Sequence, residues 1–308
     1  MIRRSHPDDL PQARQLWMQA FQDSPEATDF YFAHRNRWHD MLVEMEGDQL
    51  RGMLTMLPMD LWLAGQALPA RYFFAIATDR RFRGRGISTR LMACAEDLAQ
   101  QEDCAAALLV PAEGPLFDFY ARRGYATTFS YDTLTLTPDL LPPCPQGVRL
   151  LPCTAQHMLR LRDAAFGASC LYARWGLEAL SYVEHAATVY QAPLLRFGAA
   201  GGEGYAYAEW EGETLVIKDL ALRGLSVPQA LAALHSQWGA SRYVVRLMEG
   251  QGQAVVDALA GADGTCTHTQ AKAFDFLRLC RTPYGMLKPL GPLPPAQGAA
   301  PYLSLGKD

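Results

Sequence analysis

Apolar residues along this chain recur with two periods, and the switches between them predict its elements. Residues 2–4 read as a short strand, and the spacing of Leu10, Ala13, Leu16, Trp17, Ala20 and Phe21 puts six apolar side chains on one helical face. A second helix is predicted over roughly 27–38. Three β-rich runs follow, 41–46, 50–63 and 67–78, separated by Glu-Gly-Asp and Ala-Gly-Gln turn signals, which predicts an antiparallel meander. From 86 to 101, Ile87, Leu91, Cys94, Ala95 and Leu98 mark an amphipathic helix, and 105–110 reads as a buried strand. A short helix over 115–122 and a strand ending at Leu136 complete this half.

The pattern then breaks in a stretch with four prolines, Thr137 to Gly147, and breaks again over 289–301, which is rich in Pro, Gly and Ala. After the first break it restarts. Residues 148–150 are again strand-like, and Leu161, Ala165 and Phe166 match Leu16, Ala20 and Phe21 at a constant offset of 145. Glu249 and Gly250 match Glu113 and Gly114 at an offset of 136, each pair directly after a β-rich run. Two repeated units are therefore expected, residues 1–137 and 148–308, joined by a proline-rich linker over 138–147.

Composition removes several function classes. The chain has 308 residues, 49% hydrophobic and 19% charged, with 28 basic against 32 acidic side chains and a formal charge of −4. It is a folded protein without the field that holds polyanions, so no nucleic-acid partner is expected. No apolar stretch reaches the about 18 residues of a membrane span and the start carries no apolar leader, so no membrane partner is expected either. Seven cysteines form no CxxC pair, which points to reduced thiols in the cytoplasm. The histidines show no metal-ligand spacing, and no metal is predicted.

The segment with most chemistry is Ile76-Ala-Thr-Asp-Arg-Arg-Phe-Arg-Gly-Arg-Gly-Ile87, a strand running into a basic turn that opens a helix. Gly84 and Gly86 permit a tight turn and a close backbone approach, while unpaired N–H groups at the helix start favour an anion. Arginines 80, 81, 83, 85 and 90 supply positive charge for several phosphates. The segment is neither a Walker loop, lacking Gly-Lys-Ser/Thr, nor a dinucleotide fingerprint, lacking the third glycine.

The pattern RxxGxG at Arg81, Gly84 and Gly86 resembles the acetyl-CoA pyrophosphate loop of the GNAT superfamily of N-acetyltransferases. Downstream, LLVPAEGPLFDFYARRGYATT resembles the strand, short helix and FYxxxGF-type segment of that family, here Phe119, Tyr120, Gly124 and Tyr125. The second half resembles the degenerate repeat of tandem-GNAT proteins related to Eis-type acetyltransferases, without room for their sterol-carrier-like domain. The implied fold is α/β (α+β): two tandem GNAT-like domains, each a mixed, mostly antiparallel central sheet flanked by helices. The first is expected to be catalytic. In the second, Val256 stands at the offset position of Tyr120, and the junction KDLALRGLSVPQA lacks RxxGxG.

The resemblance implies transfer of an acetyl group from acetyl-CoA to a primary amine, with Tyr120 protonating the CoA thiolate. It places the cofactor on Ile76, Ala77, Thr78, Arg81, Phe82, Arg83, Gly84, Arg85, Gly86, Ile87 and Ser88. The strand over 72–78 carries no carboxylate, which leaves Glu113 and the chain-terminal carboxylate of Asp308 as candidates for the general base, or a water chain. Trp38, Glu44 and Asp118 would suit a cationic small-molecule acceptor. Cys94 is read as core packing and Gly250-Gln-Gly252 as a turn before a helix. Homo-oligomerisation is compatible with the sequence. Rival readings are a non-catalytic acyl-CoA sensor, favoured by the missing carboxylate, and a tRNA-dependent aminoacyl transferase.

Overall fold

The computed structural model describes residues 1–168, 171–260, 277–295 and 301–304. The elements are, in order, β1 (Ile2–Arg4), α1 (Leu10–Phe21), α2 (Pro25–His34), β2 (Met41–Glu46), β3 (Gln49–Leu63), β4 (Gln66–Thr78), α3 (Ile87–Gln101), β5 (Ala106–Leu109), α4 (Gly114–Ala121) and β6 (Ala126–Leu136). There follow β7 (Arg149–Pro152), α5 (Ala155–Phe166), β8 (Leu171–Arg174), α6 (Leu177–Val189), β9 (Leu194–Ala199), β10 (Gly202–Glu211), β11 (Thr214–Arg223), α7 (Val227–Trp238), β12 (Arg242–Met248), α8 (Gln251–Ala260) and β13 (Arg278–Pro289). The helices α1 and α5 begin and end at the same offset of 145 that the sequence repeat predicts.

The chain forms two compact units, and their bounds depart from the compositional division. The first comprises Met1–Leu61, Ala67–Ala126 and Met286–Pro294; the second holds Trp62–Gln66, Thr127–Gly285 and the residues from Pro295 on. Hydrogen bonding, not proline content, draws this line. β6 pairs with β12 from Tyr131 to Leu136, which assigns residues before the proline-rich stretch to the second unit. Met286–Pro289 of β13 pair with Leu109–Ala106 of β5, which assigns a late segment to the first.

In the first unit the strands run in the order β1, β2, β3, β4, β5 and the end of β13. Pairing is antiparallel for β1 with β2, β2 with β3 and β5 with β13, and parallel for β4 with β5. Side chains on the two faces of the sheet build different layers. Phe73, Leu54, Leu42 and Leu109 meet Leu91, Met92 and Ala95 of α3 and Tyr120 of α4 on one side. On the other, Phe74 and Trp17 of α1 lie 5.6 Å apart, and Trp17 stacks on Tyr31 of α2 at 4.3 Å. The helix α2 stops at His34, short of the expected 38. Arg35 and Asn36 both donate to the Tyr31 carbonyl, and a 3-10 turn over Trp38–Asp40 follows, with Trp38 folded back on Phe32 at 6.3 Å.

The parallel contact of β4 with β5 is short, Ala70–Tyr72 against Ala106–Leu108. Beyond Tyr72 the strand continues six residues to Thr78 without this partner, so its backbone groups on that side are not paired with β5. The second unit has the order β6, β12, β11, β10, β9, β7 and repeats the device. There β11 pairs in parallel with β12 only over Thr214–Ile217, and the register against β10 shifts between Tyr207 and Ala208.

Candidate active site

The turn after β4 is built from the backbone outward. Asp79, at the end of the strand, accepts from the Arg81 amide at 2.9 Å and from the Arg81 guanidinium at 2.7 Å. It caps the 3-10 turn Arg80–Phe82, and the paired guanidinium holds its carboxyl below the usual range. Gly84 and Gly86 follow at φ +78° and +73°, left-handed values that a side chain at either position would strain. Gly86 is the N-cap of α3 and supplies no side chain to it. The first helical bond is Arg90 N–H to Gly86 carbonyl, so the amides of Ile87, Ser88 and Thr89 head the helix without an intrahelical acceptor. The free amides and dipole direction at this end of α3 are those that suit an anion, which makes it a candidate anion seat.

The five arginines divide into two groups. Arg81 is bound to Asp79, and Arg90 to Glu44 at 2.5 Å. The side chains of Arg80, Arg83 and Arg85 are exposed and form no ion pair among the described residues; Arg85 lies 5.3 Å from the Phe82 ring. Phe82 itself is half-buried against the α3 cluster, and the Ile87 side chain is wholly in that core, so Ile87 offers only its backbone.

Tyr120 lies on α4, which starts just after β5. Its ring packs in the α3 cluster, and its hydroxyl makes no hydrogen bond among the described residues. Burial pushes its phenol up to about 12, with the Arg123 guanidinium opposing. The group is thus a proton donor throughout the neutral range. Tyr125 is differently employed, donating to Glu96 at 3.0 Å while Lys288 of β13 pairs with the other Glu96 oxygen at 2.6 Å. Arg123 joins α4 to α3: it donates to the Phe119 carbonyl and the Thr89 hydroxyl, and its guanidinium stacks 3.5 Å from the Phe119 ring centre.

Ile76, Ala77 and Thr78 lie on the part of β4 beyond its pairing with β5, directly before the candidate anion seat. Glu113 is the N-cap residue of α4, exposed and making no side-chain cap bond. Asp308 lies outside the described residues. Glu44 is buried between Arg51 and Arg90, which removes it from the wall of a cation pocket, and Asp118 is exposed on α4. Cys94 packs with the α3 cluster and burial raises its thiol, in keeping with the core reading.

Gly52 of β3 escaped the sequence reading. A Cβ there would stand 2.6 Å from Ile87 Cγ2 and 3.1 Å from the Ala77 carbonyl, so this glycine lets the start of α3 lie directly on the sheet. Arg123 escaped it too. A glycine inside a β-rich run is the one available signal for the first; nothing in the spacing marks the second.

In the second unit the corresponding helix start is satisfied by its own side chains. Its counterpart helix α7 is closed by a capping box, with Ser226 N–H donating to Gln229 Oε1 at 3.0 Å and Gln229 N–H to Ser226 Oγ at 3.4 Å. The helix α8 begins at the Gly250-Gln-Gly252 turn, whose glycine amides donate to the buried carboxylate of Asp132 at 2.8 and 3.1 Å. At the start of the splayed part of β11, Asp219 and Arg162 form a fully buried ion pair. Tyr205, Tyr302 and Ser304 donate hydroxyls to Asp219, which ties 301–304 into this unit.

Among the described residues no group of three His, Cys, Asp or Glu side chains could hold a metal ion. No curated protein matches the sequence significantly. Residues 1–128 match the family described as Acetyltransferase (GNAT) domain. The fold is similar to that of a GCN5-related N-acetyltransferase from Anabaena variabilis, with TM-score 0.72 and 17% identity over 94% of this chain and 73% of that one. Eis1 from Mycobacterium abscessus gives 0.68 and 14% over 94% and 74%. A tandem GNAT protein from the clavulanic acid biosynthesis pathway gives 0.53 and 14% over 96% and 100%. Residues 1–128 therefore match the GNAT acetyltransferase domain family, and the chain as a whole shares the fold of a tandem GNAT protein.

Proposed function

We propose that the first unit transfers an acetyl group from acetyl-CoA to the primary amine of a small-molecule acceptor. One observation carries the reading: an uncapped helix start with two left-handed glycines and three exposed guanidiniums follows a strand end that has left its pairing with β5. That arrangement suits a ligand with a polyanionic head and an amide-bearing arm. Acetyl-CoA supplies the acetyl group as an activated thioester. The backbone of Ile76, Ala77 and Thr78 hydrogen-bonds the arm and polarises the thioester carbonyl. Arg80, Arg83, Arg85 and the α3 amides hold the phosphates, with Arg81, Phe82, Gly84, Gly86 and Ser88 shaping the turn around them.

As the amine nitrogen bonds to the carbonyl carbon and the carbon–sulfur bond breaks, the Tyr120 hydroxyl gives its proton to the departing sulfur and is reprotonated from solvent. The proton that the amine loses goes to Glu113, to the terminal carboxylate of Asp308 or to water. The described cysteines, 94, 104, 144, 153 and 280, are all free thiols, which supports a reducing, cytoplasmic setting. No helix among the described residues is long and apolar enough to cross a membrane.

The absence of a carboxylate on β4 from Tyr72 to Thr78 favours a second reading, an acyl-CoA sensor without turnover. Calorimetric titration with acetyl-CoA, followed by thiol release with a panel of amines, separates the two. Binding with turnover supports the transferase, binding without turnover on any amine supports the sensor, and no binding overturns both.

A further inference from the structure

Glu44 is a carboxylate buried in the interior of β2, with 2% of its surface exposed. A charge so placed is costly unless it is paired and hydrogen-bonded. Two guanidiniums do this. Arg51 Nη2 donates to Glu44 Oε1 at 2.9 Å, and Arg90 reaches the same oxygen at 2.5 Å and Oε2 at 3.2 Å.

Neither arginine ends at Glu44. The main-chain carbonyl of Arg51 accepts from the Asp79 amide at 2.9 Å, where the loop leaves β4, and its guanidinium lies 5.8 Å from the Phe82 ring. Arg90 Nη1 donates to the Arg85 carbonyl at 2.8 Å, where the loop enters α3. Glu44 thus reaches the helix end of the turn through Arg90, and the Phe82 ring in its middle through the Arg51 guanidinium, which Glu46 also holds at 2.9 Å.

The bond to Arg85 has a directional consequence. In a trans peptide the carbonyl of Arg85 and the N–H of Gly86 point opposite ways, and no peptide bond among the described residues is cis. With the carbonyl drawn to Arg90, the Gly86 amide faces away from Arg90. A turn with two left-handed glycines has much backbone freedom, and a ligand that must order it loses affinity in doing so. Hydrogen bonds to a desolvated carboxylate are strong enough to remove that freedom beforehand.

We propose that Glu44 is a positioning residue for the acetyl-CoA loop: through Arg90 it sets the Arg85–Gly86 peptide with its amide toward the anion, and through the Arg51 guanidinium it steadies the Phe82 ring. The assignment rests on the proposed function of this loop. A lone structural ion pair would need only one arginine and no contact with the turn.

The test compares wild type, Glu44→Gln and Arg90→Gln by amide hydrogen exchange without ligand and by steady-state kinetics with acetyl-CoA varied. In Glu44→Gln, exchange over 79–90 is expected to quicken about tenfold while α1 and α4 keep their rates, and KM for acetyl-CoA to rise about tenfold with kcat within about twofold. Unchanged exchange and unchanged KM overturn the proposal. If exchange quickens throughout the first unit, Arg90→Gln decides, because it leaves Arg51 on Glu44: loosening confined to 79–90 supports the proposal, and none overturns it. A wild type that does not bind acetyl-CoA, with a loop that still loosens in Glu44→Gln, removes the functional reading and leaves Glu44 as the anchor of the turn.

Discussion

Phe73 and Ile76 stand three positions apart on β4 and pack against the same hydrophobic cluster, which strict strand alternation forbids. The extra residue is taken up at Ala75, whose φ of +52° lies in the left-handed region. Tyr72 and Phe74 share the opposite face, with rings 6.2 Å apart, so the irregularity falls between Phe74 and Ile76. The parallel pairing with β5 ends just before it, at Tyr72. A bulge at this point turns the end of β4 away from β5 and ends their pairing. Ala75→Val places a β-branched residue at this φ and should lower unfolding stability by about 1–3 kcal/mol in urea titration, whereas Ala75→Gly should be neutral or slightly stabilising.

Tyr120→Phe should lower kcat about a hundredfold or more while the acetyl-CoA Kd stays within about twofold. Because burial holds the Tyr120 phenol at about 12, the wild-type kcat should show no alkaline loss from this group at physiological pH or for several units above it. The sign for stability is the same. A folded value above the unfolded value of about 10 means that the contribution is complete below pH 10 and is lost as pH rises toward 12. Thermal melts across that window check it.

Gly52→Ala should destabilise the first unit by about 1–3 kcal/mol and weaken acetyl-CoA binding, since its Cβ would enter the space of Ile87 Cγ2 and approach the Ala77 carbonyl. Ile87→Val removes only the terminal methyl of the longer branch and leaves Cγ2 in place, so it should give little relief. Gly52→Ala with Ile87→Ala should recover part of the stability beyond additivity. A double-mutant cycle read by denaturant midpoints measures the coupling.

Asp219→Ala should cost about 3–5 kcal/mol, because it leaves the wholly buried Arg162 guanidinium without its counter-charge. Replacing both, Asp219→Ala with Arg162→Met, should cost less than the single change. The Tyr302 and Ser304 hydroxyls also lose their acceptor, so exchange over 301–304 should quicken.

The order of elements was legible in the sequence because it is local. Helix and strand periods, the glycines of the turn at 84 and 86, and the repeat offset of 145 each depend on residues a few positions apart. The strand, turn and helix start that make up the candidate anion seat were legible for the same reason, since they are contiguous. The position of Tyr120 on a helix following β5 was available from motif order. What only the tertiary structure decided is long-range. The bounds of the units follow from β13 pairing with β5 and β6 with β12, and neither partner announces the other in composition. The division of the arginines into bound and exposed required knowing that Glu44 and Arg90, distant in the chain, meet at 2.5 Å. Whether a charge is free or spent is a property of burial and distance, and a linear pattern records neither.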